Sequence, residues 1–494
     1  MSKQNGGIIG PDNVPTGAFG AASGVWKLSD VTDYKRQGTW PVALSGHQVA
    51  DSCRFNSGSS DYLEKAQTGT NGNQKTWTIS MWVKRSTLGT SQFLFSFGAN
   101  ASSDGKMFFD ANDFLTFVND GQNGSSNETD MKFRDVSAWY HIVWACDVTQ
   151  SDNADRWKIY VNGNQVTLTG SPSISNADGI VNRWNGFDNW IGAAARSQQS
   201  GTAIQSFDGY ITEIVFIDGQ QLTPTSFGET DSVTNNWVPK VVTGLTFGTN
   251  GYYLPFTNAS ALGEDFSGND NDFTANNLTS IDQSIDTCTN NFCTLNPLDI
   301  GGGSYTFSNG NTTINTDGGL QSTFSVGQGK WYAEFKLTGS VNYGIGIRQQ
   351  NYAISQGYGT GGKSAVLHLD EVNFYKNGSS TASYGSAWST GDVIQVAADL
   401  DNNNIYFGKN GSWWNGSAFS SSIPSTAQSI DDIDNYTFSI ILVASGAGNV
   451  DANFGSPAYA ISSGNVDSSG MGNFEYAVPS GYYSLCTRNL NLIG

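Results

Sequence analysis

The feature that most constrains the fold is a series of short segments in which apolar and polar residues alternate, each ending at a turn signal. Residues 157–161 read WKIYV, and Asn162-Gly163 follows at once. Alternation with a period of two places apolar side chains on one face of a strand, and Asn-Gly favours the tight turn of a β-hairpin. Comparable segments are 76–84, 139–147 and 209–217. The region from 46 to 240 is therefore predicted to be antiparallel β-structure.

A second series of strand-like segments follows from residue 301 onward. Its members include 330–337, 392–400 and 436–443, with Asn377-Gly378 and Asn410-Gly411 at turns between strands. Short strands at regular spacing are typical of sandwiches and barrels. No stretch has a helical period, so the helix content should be well below the usual third of residues. The predicted fold class is all-β, with two tandem antiparallel β-sandwich (jelly-roll) domains.

The length of the chain requires more than one domain. At 494 residues, the chain exceeds the size at which a single hydrophobic core keeps growing. The composition shifts predict an N-terminal arm over 1–45, a first sandwich over 46–240, a packed connector over 241–300, and a second sandwich with a C-terminal tail over 301–494. The connector carries many aromatic residues, which a flexible linker rarely does.

The arm over 1–45 is rich in Gly and lacks periodicity, so it cannot form its own core. We expect Trp26, Tyr34 and Trp40 to anchor it on the body of the chain or on a partner. It lacks the apolar segment of a signal peptide, which makes a secreted adhesin an unfavoured alternative. The longest apolar run in the chain is far too short to span a bilayer, so no membrane insertion is expected.

Charge and cysteine content exclude some functions. Lys plus Arg number 24 and Asp plus Glu number 43, which gives a net charge of −19. A protein that neutralises nucleic-acid phosphates needs a basic face, and no basic run occurs, so no nucleic-acid partner is expected. The 5 Cys form no disulfide framework because their number is odd and their density low. We expect all of them to be reduced, which fits synthesis in a cytosol.

Several motifs resemble known β-sandwich families. The segments WYHIVWACDVTQ (139–150), RWKIYVNGNQV (156–166) and FDGYITEIVFIDGQQLTP (207–224) resemble the concanavalin A-like, laminin-G-type sandwich. The segments GKWYAEFKL (329–337) and DVIQVAADLDNNNIYFGKNGSWW (392–414) resemble a SPRY-type sandwich. The resemblance implies two unlike binding modules in tandem.

Other segments resemble structural proteins of tailed bacteriophages, marine ones in particular. They are GGIIGPDNVPTGAFGAASGVWKL (6–28), TNNFCTLNPLD (289–299) and GYYSLCTRNLN (481–491). The resemblance implies a virion protein, either a tail fibre, a receptor-binding protein or a capsid fibre. We expect such a protein to be a homotrimer, to attach to other virion proteins through its arm and to meet a host glycan or protein. It would be made in the host cytoplasm and released by lysis. A capsid decoration protein is an alternative.

The sequence offers no convincing catalytic group. Glucanases with the concanavalin A-like fold carry Glu-x-Asp-x-x-Glu on one strand, and this pattern is missing here. The nearest candidates, Glu213 and Asp218, have the wrong spacing. The three histidines, His47, His141 and His368, are interpreted as structural. We therefore predict no enzyme and no required cofactor, with a virion-associated polysaccharide depolymerase as the main alternative.

One turn is rich in oxygen donors. The run DFSGNDND places Asp265, Asn269, Asp270 and Asp272 close together, as a Ca²⁺ site requires. It lacks the spacing and the terminal Glu of an EF-hand loop. A hydrogen-bonded Asx turn explains the same residues without a metal.

Aromatic residues near turns are candidates for binding. Trp413 and Trp414 follow the Asn410-Gly411 turn, and Trp388 and Tyr343 also lie near predicted loops. Exposed rings there could stack on the sugar rings of a glycan or form a subunit interface. Plain core filling is the third possibility.

Overall fold

The structure of the chain is a computed structural model. It describes residues 47–493, apart from 67–71, 74, 99–103, 120–126, 170–187, 196–202, 205, 232–233, 317, 340–342, 351–362, 386, 426, 432–435 and 443–447. The predicted anchoring residues Trp26, Tyr34 and Trp40 lie outside the described residues.

The first half of the chain forms short strands. They are β1 (Ser52–Phe55), β2 (Tyr62–Lys65), β3 (Thr76–Arg85), β4 (Gln92–Gly98), β5 (Asp104–Phe109), β6 (Phe114–Asn119), β7 (Glu128–Lys132), β8 (Trp139–Asp147), β9 (Trp157–Val161), β10 (Asn164–Gln165), β11 (Asp188–Ile191), β12 (Ala194–Ala195), β13 (Ala203–Ile204), β14 (Gly209–Asp218), β15 (Gly228–Thr230), β16 (Trp237–Pro239), β17 (Tyr252–Leu254), β18 (Thr274–Asn276) and β19 (Gln283–Ser284). One helical turn, α1 (Asn153–Arg156), and two 3₁₀ turns, Pro224–Ser226 and Ser280–Asp282, lie between them.

Two facing antiparallel sheets build the first sandwich. Sheet A has the order β10-β9-β8-β3-β14-β1-β19, with β17 also paired to β14, and sheet B has the order β18-β2-β11-β4-β5-β6-β7. The core lies between the two sheets, where Trp144 of sheet A meets Phe117 of sheet B edge to face at 5.0 Å between ring centroids. Alternation along the strands supplies this core, because every second side chain faces inward.

The Asn-Gly pairs form the predicted hairpin turns. Asn162 and Gly163 have φ of 47° and 80°, and Asn410 and Gly411 have φ of 48° and 85°. Two successive residues with positive φ match the twist of a two-stranded hairpin, and Asn and Gly tolerate that conformation best.

The segment predicted as a packed connector, 241–300, contributes three short strands to the first sandwich. Within 241–300, β17 pairs with β14, β18 with β2, and β19 with β1. Tyr252 and Phe273 are buried in the core of the first sandwich. These strands have only two or three residues, too few to show an alternating pattern in the sequence.

The second half of the chain forms another set of strands. They are β20 (Leu295–Ile300), β21 (Tyr305–Ser308), β22 (Thr313–Thr316), β23 (Gly319–Val326), β24 (Lys330–Leu337), β25 (Tyr343–Gln349), β26 (Ser364–His368), β27 (Asn373–Lys376), β28 (Ser379–Ser383), β29 (Val393–Asp399), β30 (Asn404–Lys409), β31 (Ser412–Trp414), β32 (Phe419–Ser420), β33 (Gln428–Ser429), β34 (Tyr436–Leu442) and β35 (Gly448–Asn453). The helix α2 (Thr487–Ile493) ends the described chain.

These strands form a second sandwich. Its sheets have the orders β20-β23-β34-β25-β26-β27-β28 and β21-β22-β35-β24-β29-β30-β31-β32, with β33 paired to β30. Phe335 of one sheet and Phe438 of the other lie in the shared core with ring centroids 6.3 Å apart. The predicted all-β fold of tandem sandwiches is confirmed, and helix is limited to a few short segments among the described residues. In the part of the chain that the structure describes, no helix is long and apolar enough to cross a membrane.

The two sandwiches touch each other directly. The Tyr210 hydroxyl donates to the carbonyl oxygen of Gly310 at 3.1 Å, and the Asn311 amide donates to the carbonyl oxygen of Ser86 at 2.8 Å. We call this contact region between the two sandwiches the seam. The tail after β35 returns to the seam, where the backbone of Cys486 forms an isolated antiparallel β-bridge with that of Phe292. The seam therefore joins three parts of the chain that are distant in sequence.

Candidate binding site

Three of the four aromatic residues predicted as a binding platform are buried. Tyr343 is 0% exposed, Trp388 5% and Trp413 3%. Trp413 packs near Tyr332 with ring centroids 6.3 Å apart, in a small hydrophobic cluster. A ring covered on both faces cannot stack on a sugar, so these three residues fill cores and form no glycan platform.

Trp414 is the member of that set that solvent reaches. It is half-buried, and it meets Phe419 edge to face at 5.3 Å between centroids. Adjacent residues of a strand point to opposite faces, which separates Trp413 from Trp414 on β31. The sequence pattern placed both rings at a turn but did not show which face each would occupy.

The residues predicted as a Ca²⁺ site form a hydrogen-bonded turn. Asp265 Oδ1 accepts from the backbone N–H groups of Tyr253 and Ser267, both at 2.8 Å. Its Oδ2 accepts from the Ser267 hydroxyl at 2.8 Å and from Asn271 N at 2.9 Å.

The other predicted ligands of that site are engaged or exposed. Asp272 Oδ1 accepts from Asp265 N at 2.8 Å, and the Asn269 amide donates to two carbonyl oxygens. Asp270 is exposed, with a positive φ of 55°. Among the described residues, no group of three or more His, Cys, Asp or Glu side chains could hold a metal ion. The geometry matches the Asx-turn interpretation of this run.

Glu213 and Asp218 bind other parts of the chain through hydrogen bonds. Glu213 lies at an irregularity of β14 with a φ of 51°, and both its oxygens accept from the Tyr253 hydroxyl at 2.9 Å. Asp218 accepts from Asn73 N at 2.6 Å and from Asn250 N at 3.1 Å. Glu213 therefore binds strand β17, whereas Asp218 binds two loops.

The outer face of sheet B carries a different group of side chains, which we call the Tyr62 patch. It consists of Tyr62, Glu64, Asp188 and Trp190. Trp190 pairs directly with Glu64 across β11 and β2, and directly paired residues lie on the same face of a sheet. Tyr62 and Asp188 lie two residues away along their own strands and so share that face.

The rings of the patch are stacked. Tyr62 lies on Trp190 with centroids 4.6 Å apart and an angle of 17° between the ring planes. Trp190 is 3% exposed, whereas Tyr62 is half-buried. Tyr62 is therefore the ring that a ligand can reach, and Trp190 packs against one face of it.

Two carboxylates lie on the same face of the sheet. Glu64 and Asp188 are both half-buried. Burial raises the pKa of Glu64, and the nearby negative charge of Asp188 raises it further. Burial and the charge of Glu64 raise the pKa of Tyr62. The patch thus combines an aromatic surface with strong hydrogen-bond acceptors, which suits a ligand rich in hydroxyl groups.

Comparisons with known proteins identify the two sandwiches. Residues 57–226 match the family model described as the concanavalin A-like lectin/glucanases superfamily. Residues 330–425 match the model of the SPRY domain. The chain carries a concanavalin A-like domain followed by a SPRY domain. The Tyr62 patch lies within the concanavalin A-like domain, and Trp414 lies within the SPRY domain.

Solved structures similar to parts of the chain include two SPRY-type domains and a pentraxin. The SPRY domain of human HERC1 is 16% identical, with 32% of this chain and 96% of that chain covered and a TM-score of 0.27. The SPRY-type domain of TRIM65 is 12% identical, with 33% and 88% covered and a TM-score of 0.24. A native heptameric SAP-like pentraxin from Limulus polyphemus is 13% identical, with 40% and 100% covered and a TM-score of 0.29. A search of curated protein sequences finds no relative.

The sequence interpretation missed the Tyr62 patch because its members come together only through strand pairing. The segments YLEK (62–65) and DNWI (188–191) are far apart in the concanavalin A-like domain. The alternation Tyr-Leu-Glu places Tyr62 and Glu64 on one face, which is the local signal that was available. Nothing local indicates that β11 pairs with β2.

Proposed function

We propose that this chain is a non-catalytic binding and display protein whose concanavalin A-like domain recognises glycan at the Tyr62 patch. The observation that carries the proposal is the accessible Tyr62 ring, which is stacked on Trp190 and shares its sheet face with Glu64 and Asp188. The ring offers an apolar surface to the C–H face of a sugar, and the carboxylates accept hydrogen bonds from its hydroxyl groups. A single shallow site of this kind would bind the ends or repeating units of a glycan weakly. Several copies of the protein acting together would strengthen attachment.

A glycan array with matched aromatic variants tests the proposal. Tyr62→Ala should reduce binding about tenfold or more, while Tyr62→Phe retains most of it because the ring is kept. Tyr160→Ala is the control, since it removes another half-buried tyrosine ring from the same domain, on sheet A. Thermal melting of each variant verifies the fold. The proposal fails if Tyr62→Ala binds every glycan as the unmodified chain does.

A second candidate function is hydrolysis of a polysaccharide, favoured by the carboxylate pair in the same patch. Retaining and inverting glycoside hydrolases need two carboxyl groups, one of them protonated by a raised pKa. Glu64 is the group whose pKa the neighbouring Asp188 helps to raise. New reducing ends, formed from host capsular polysaccharide and lost in Glu64→Gln while binding persists, would establish this function. An unchanged polysaccharide would exclude it for that substrate.

The wider role that we propose is that of a bacteriophage virion protein: a tail fibre, a receptor-binding protein or a capsid fibre. The support is the resemblance of 6–28, 289–299 and 481–491 to segments of phage structural proteins. In this role the arm over 1–45 attaches to other virion proteins, and the sandwiches of a homotrimer face a host glycan or protein. A net charge of −19 would keep densely packed copies soluble. A capsid decoration protein is the alternative within the same class.

Two measurements test the virion role. Light scattering of the purified chain should give the mass of three copies. Hydrogen exchange of 1–45 should be fast in the free protein and slow in virions, because docking protects backbone amides. Equal, fast exchange in both states would rule out anchoring through the arm.

A further inference from the structure

The seam between the sandwiches contains a cavity of about 400 Å³. Its walls come from the chain just before β1, from the segment after β19, and from the tail including α2. Small-molecule sites range from roughly 300 to 1,000 Å³, so the cavity is large enough for a small organic ligand.

The lining of the cavity is mostly apolar. Val49 is 6% and Phe292 is 1% exposed, and Ile285 and Met471 also contribute. Among its described lining residues, Arg488 is the one charged side chain. The cavity therefore combines an apolar body with a single positive charge.

The guanidinium group of Arg488 is poorly satisfied. One terminal nitrogen donates to the Gln48 side-chain oxygen and the other to the Met471 sulfur at 3.6 Å, which is a weak acceptor. Its Nε is buried without a hydrogen-bond partner. Both of these contacts are to neutral groups. Among the described residues, no carboxylate forms an ion pair with Arg488.

Arg488 contrasts with two buried cations of this chain. With 43 acidic and 24 basic residues, partners are abundant, and the buried Lys84 and Arg85 each have an aspartate. A half-buried guanidinium gains most from a planar oxyanion that accepts two parallel hydrogen bonds. A carboxylate supplied by a ligand meets this requirement.

We propose that the seam cavity binds a small organic monocarboxylate. The carboxylate pairs with Arg488, and the apolar body of the ligand packs against Val49, Ile285 and Phe292. This site shares no residue with the Tyr62 patch, so it stands or falls independently of glycan recognition.

Calorimetry on the full chain with a series of probes tests the chemistry. We expect 3-phenylpropionate to bind and its neutral isostere 3-phenylpropionamide to bind at least about tenfold more weakly, because only the acid pairs with the guanidinium. Acetate tests the head group alone, and inorganic phosphate tests a general anion site; both should bind more weakly than the acid. Equal affinity for acid and amide, or tighter binding of phosphate, would overturn the proposal.

Variants and a site-specific signal complete the test. Arg488→Gln should abolish the preference for acid over amide, and Arg488→Lys should keep part of it. Arg134→Gln, at a side chain 59% exposed, is the matched control and should change nothing.

Methyl-labelled methionine provides a readout that does not depend on the variants folding. Met471 lines the cavity, whereas Met81 and Met107 are 0% exposed in the core of the concanavalin A-like domain. Addition of 3-phenylpropionate should shift the methyl signal of Met471 and leave those of Met81 and Met107 in place. An unmoved Met471 signal at saturating ligand would contradict binding in this cavity.

Discussion

The Nζ of Lys84 lies 2.7 Å from Oδ2 of Asp286, and each side chain is 1% exposed. Nζ also donates to the Asn291 side-chain oxygen at 2.6 Å and to the Phe292 carbonyl oxygen at 3.1 Å. Asp286 Oδ1 accepts from the indole N–H of Trp139 at 3.2 Å. This buried pair attaches the segment after β19 to strands β3 and β8 of the first sandwich.

Removal of one member of this pair should be strongly destabilising. Asp286→Ala leaves a buried ammonium group without its counter-charge, which should lower the free energy of unfolding by about 3–5 kcal/mol. Asp155→Ala is the matched control, because its ion pair with Lys158 is at the surface and contributes about 1 kcal/mol or less. Chemical denaturation followed by tryptophan fluorescence measures both. Similar losses in the two variants would contradict the importance of the buried pair.

Glu334 should make stability depend on pH. It is 0% exposed, and its oxygens accept from the backbone N–H groups of Glu475 and Tyr476 in the tail. Burial raises the pKa of Glu334 to about 7 from an ordinary value of 4.5. Between these two pH values the folded state holds a proton that the unfolded state has released. The contribution of Glu334 to stability therefore falls as the pH rises from 4.5 to 7, by about 3 kcal/mol in total.

Comparison with Glu334→Gln isolates this effect. The difference in the free energy of unfolding between the unmodified chain and the variant should shift by about 3 kcal/mol in favour of the variant from pH 4.5 to pH 8. Glu229→Gln, at an exposed position, is the control and should give parallel curves. Parallel curves for Glu334→Gln as well would show that the carboxyl group titrates normally.

His141 should remain neutral in a single tautomer. It is 0% exposed, and its Nδ1 lies 2.9 Å from the indole Nε1 of Trp237. An indole N–H only donates, so Nδ1 is the acceptor and the imidazole proton is on Nε2, facing the Ser80 hydroxyl at 2.9 Å. Burial lowers the pKa of His141 to about 3.

The nitrogen chemical shifts of the His141 imidazole measure this directly, with His141→Gln for assignment. We expect the Nε2–H form to persist at pH 5. Because the unfolded state takes up a proton below its ordinary pKa of 6.5 and the folded state does not, stability from this group falls as the pH decreases from 6.5 to 3. Titration of the folded-state signal near pH 6.5 would refute the assignment.

The Asp265 turn should be stable without a divalent cation. Four N–H or O–H donors already occupy its carboxylate, so Asp265→Ala should lower the free energy of unfolding by about 3 kcal/mol. Asp270→Asn, at an exposed residue whose φ of 55° Asn tolerates, should have little effect. Melting temperatures with Ca²⁺ and with a chelator should coincide. If a chelator lowered the melting temperature of the unmodified chain but not that of Asp265→Ala, the Ca²⁺ interpretation would be supported instead.

Local patterns predicted the parts of the fold that local forces determine. The segment WKIYV is strand β9 as expected, and the Asn162-Gly163 turn has the conformation that its residues favour. Burial of single rings was less predictable, because Trp413 and Trp414 have the same neighbours in sequence but occupy different surroundings.

Long-range pairing determined the rest, including the candidate site. The Tyr62 patch depends on the register in which Glu64 pairs with Trp190. The two strands are adjacent in the sheet, but most of the first sandwich separates them in sequence. Strand β18 completes the edge of sheet B beside Tyr62, although its sequence, TAN, has no strand signal of its own. Its place is decided by the open edge of β2 and by burial of the nearby Phe273.

The contact between Arg488 and Gln48 spans 440 residues of the chain. During synthesis the residues that begin the first sandwich leave the ribosome long before α2 exists, so the seam remains open until α2 has been synthesised. Contacts of such long sequence separation form slowly and leave apolar surfaces exposed in the meantime. Closure of the seam by α2 should therefore be a late step in the folding of residues 47–493, and a chain truncated before residue 480 should accumulate as an aggregation-prone intermediate.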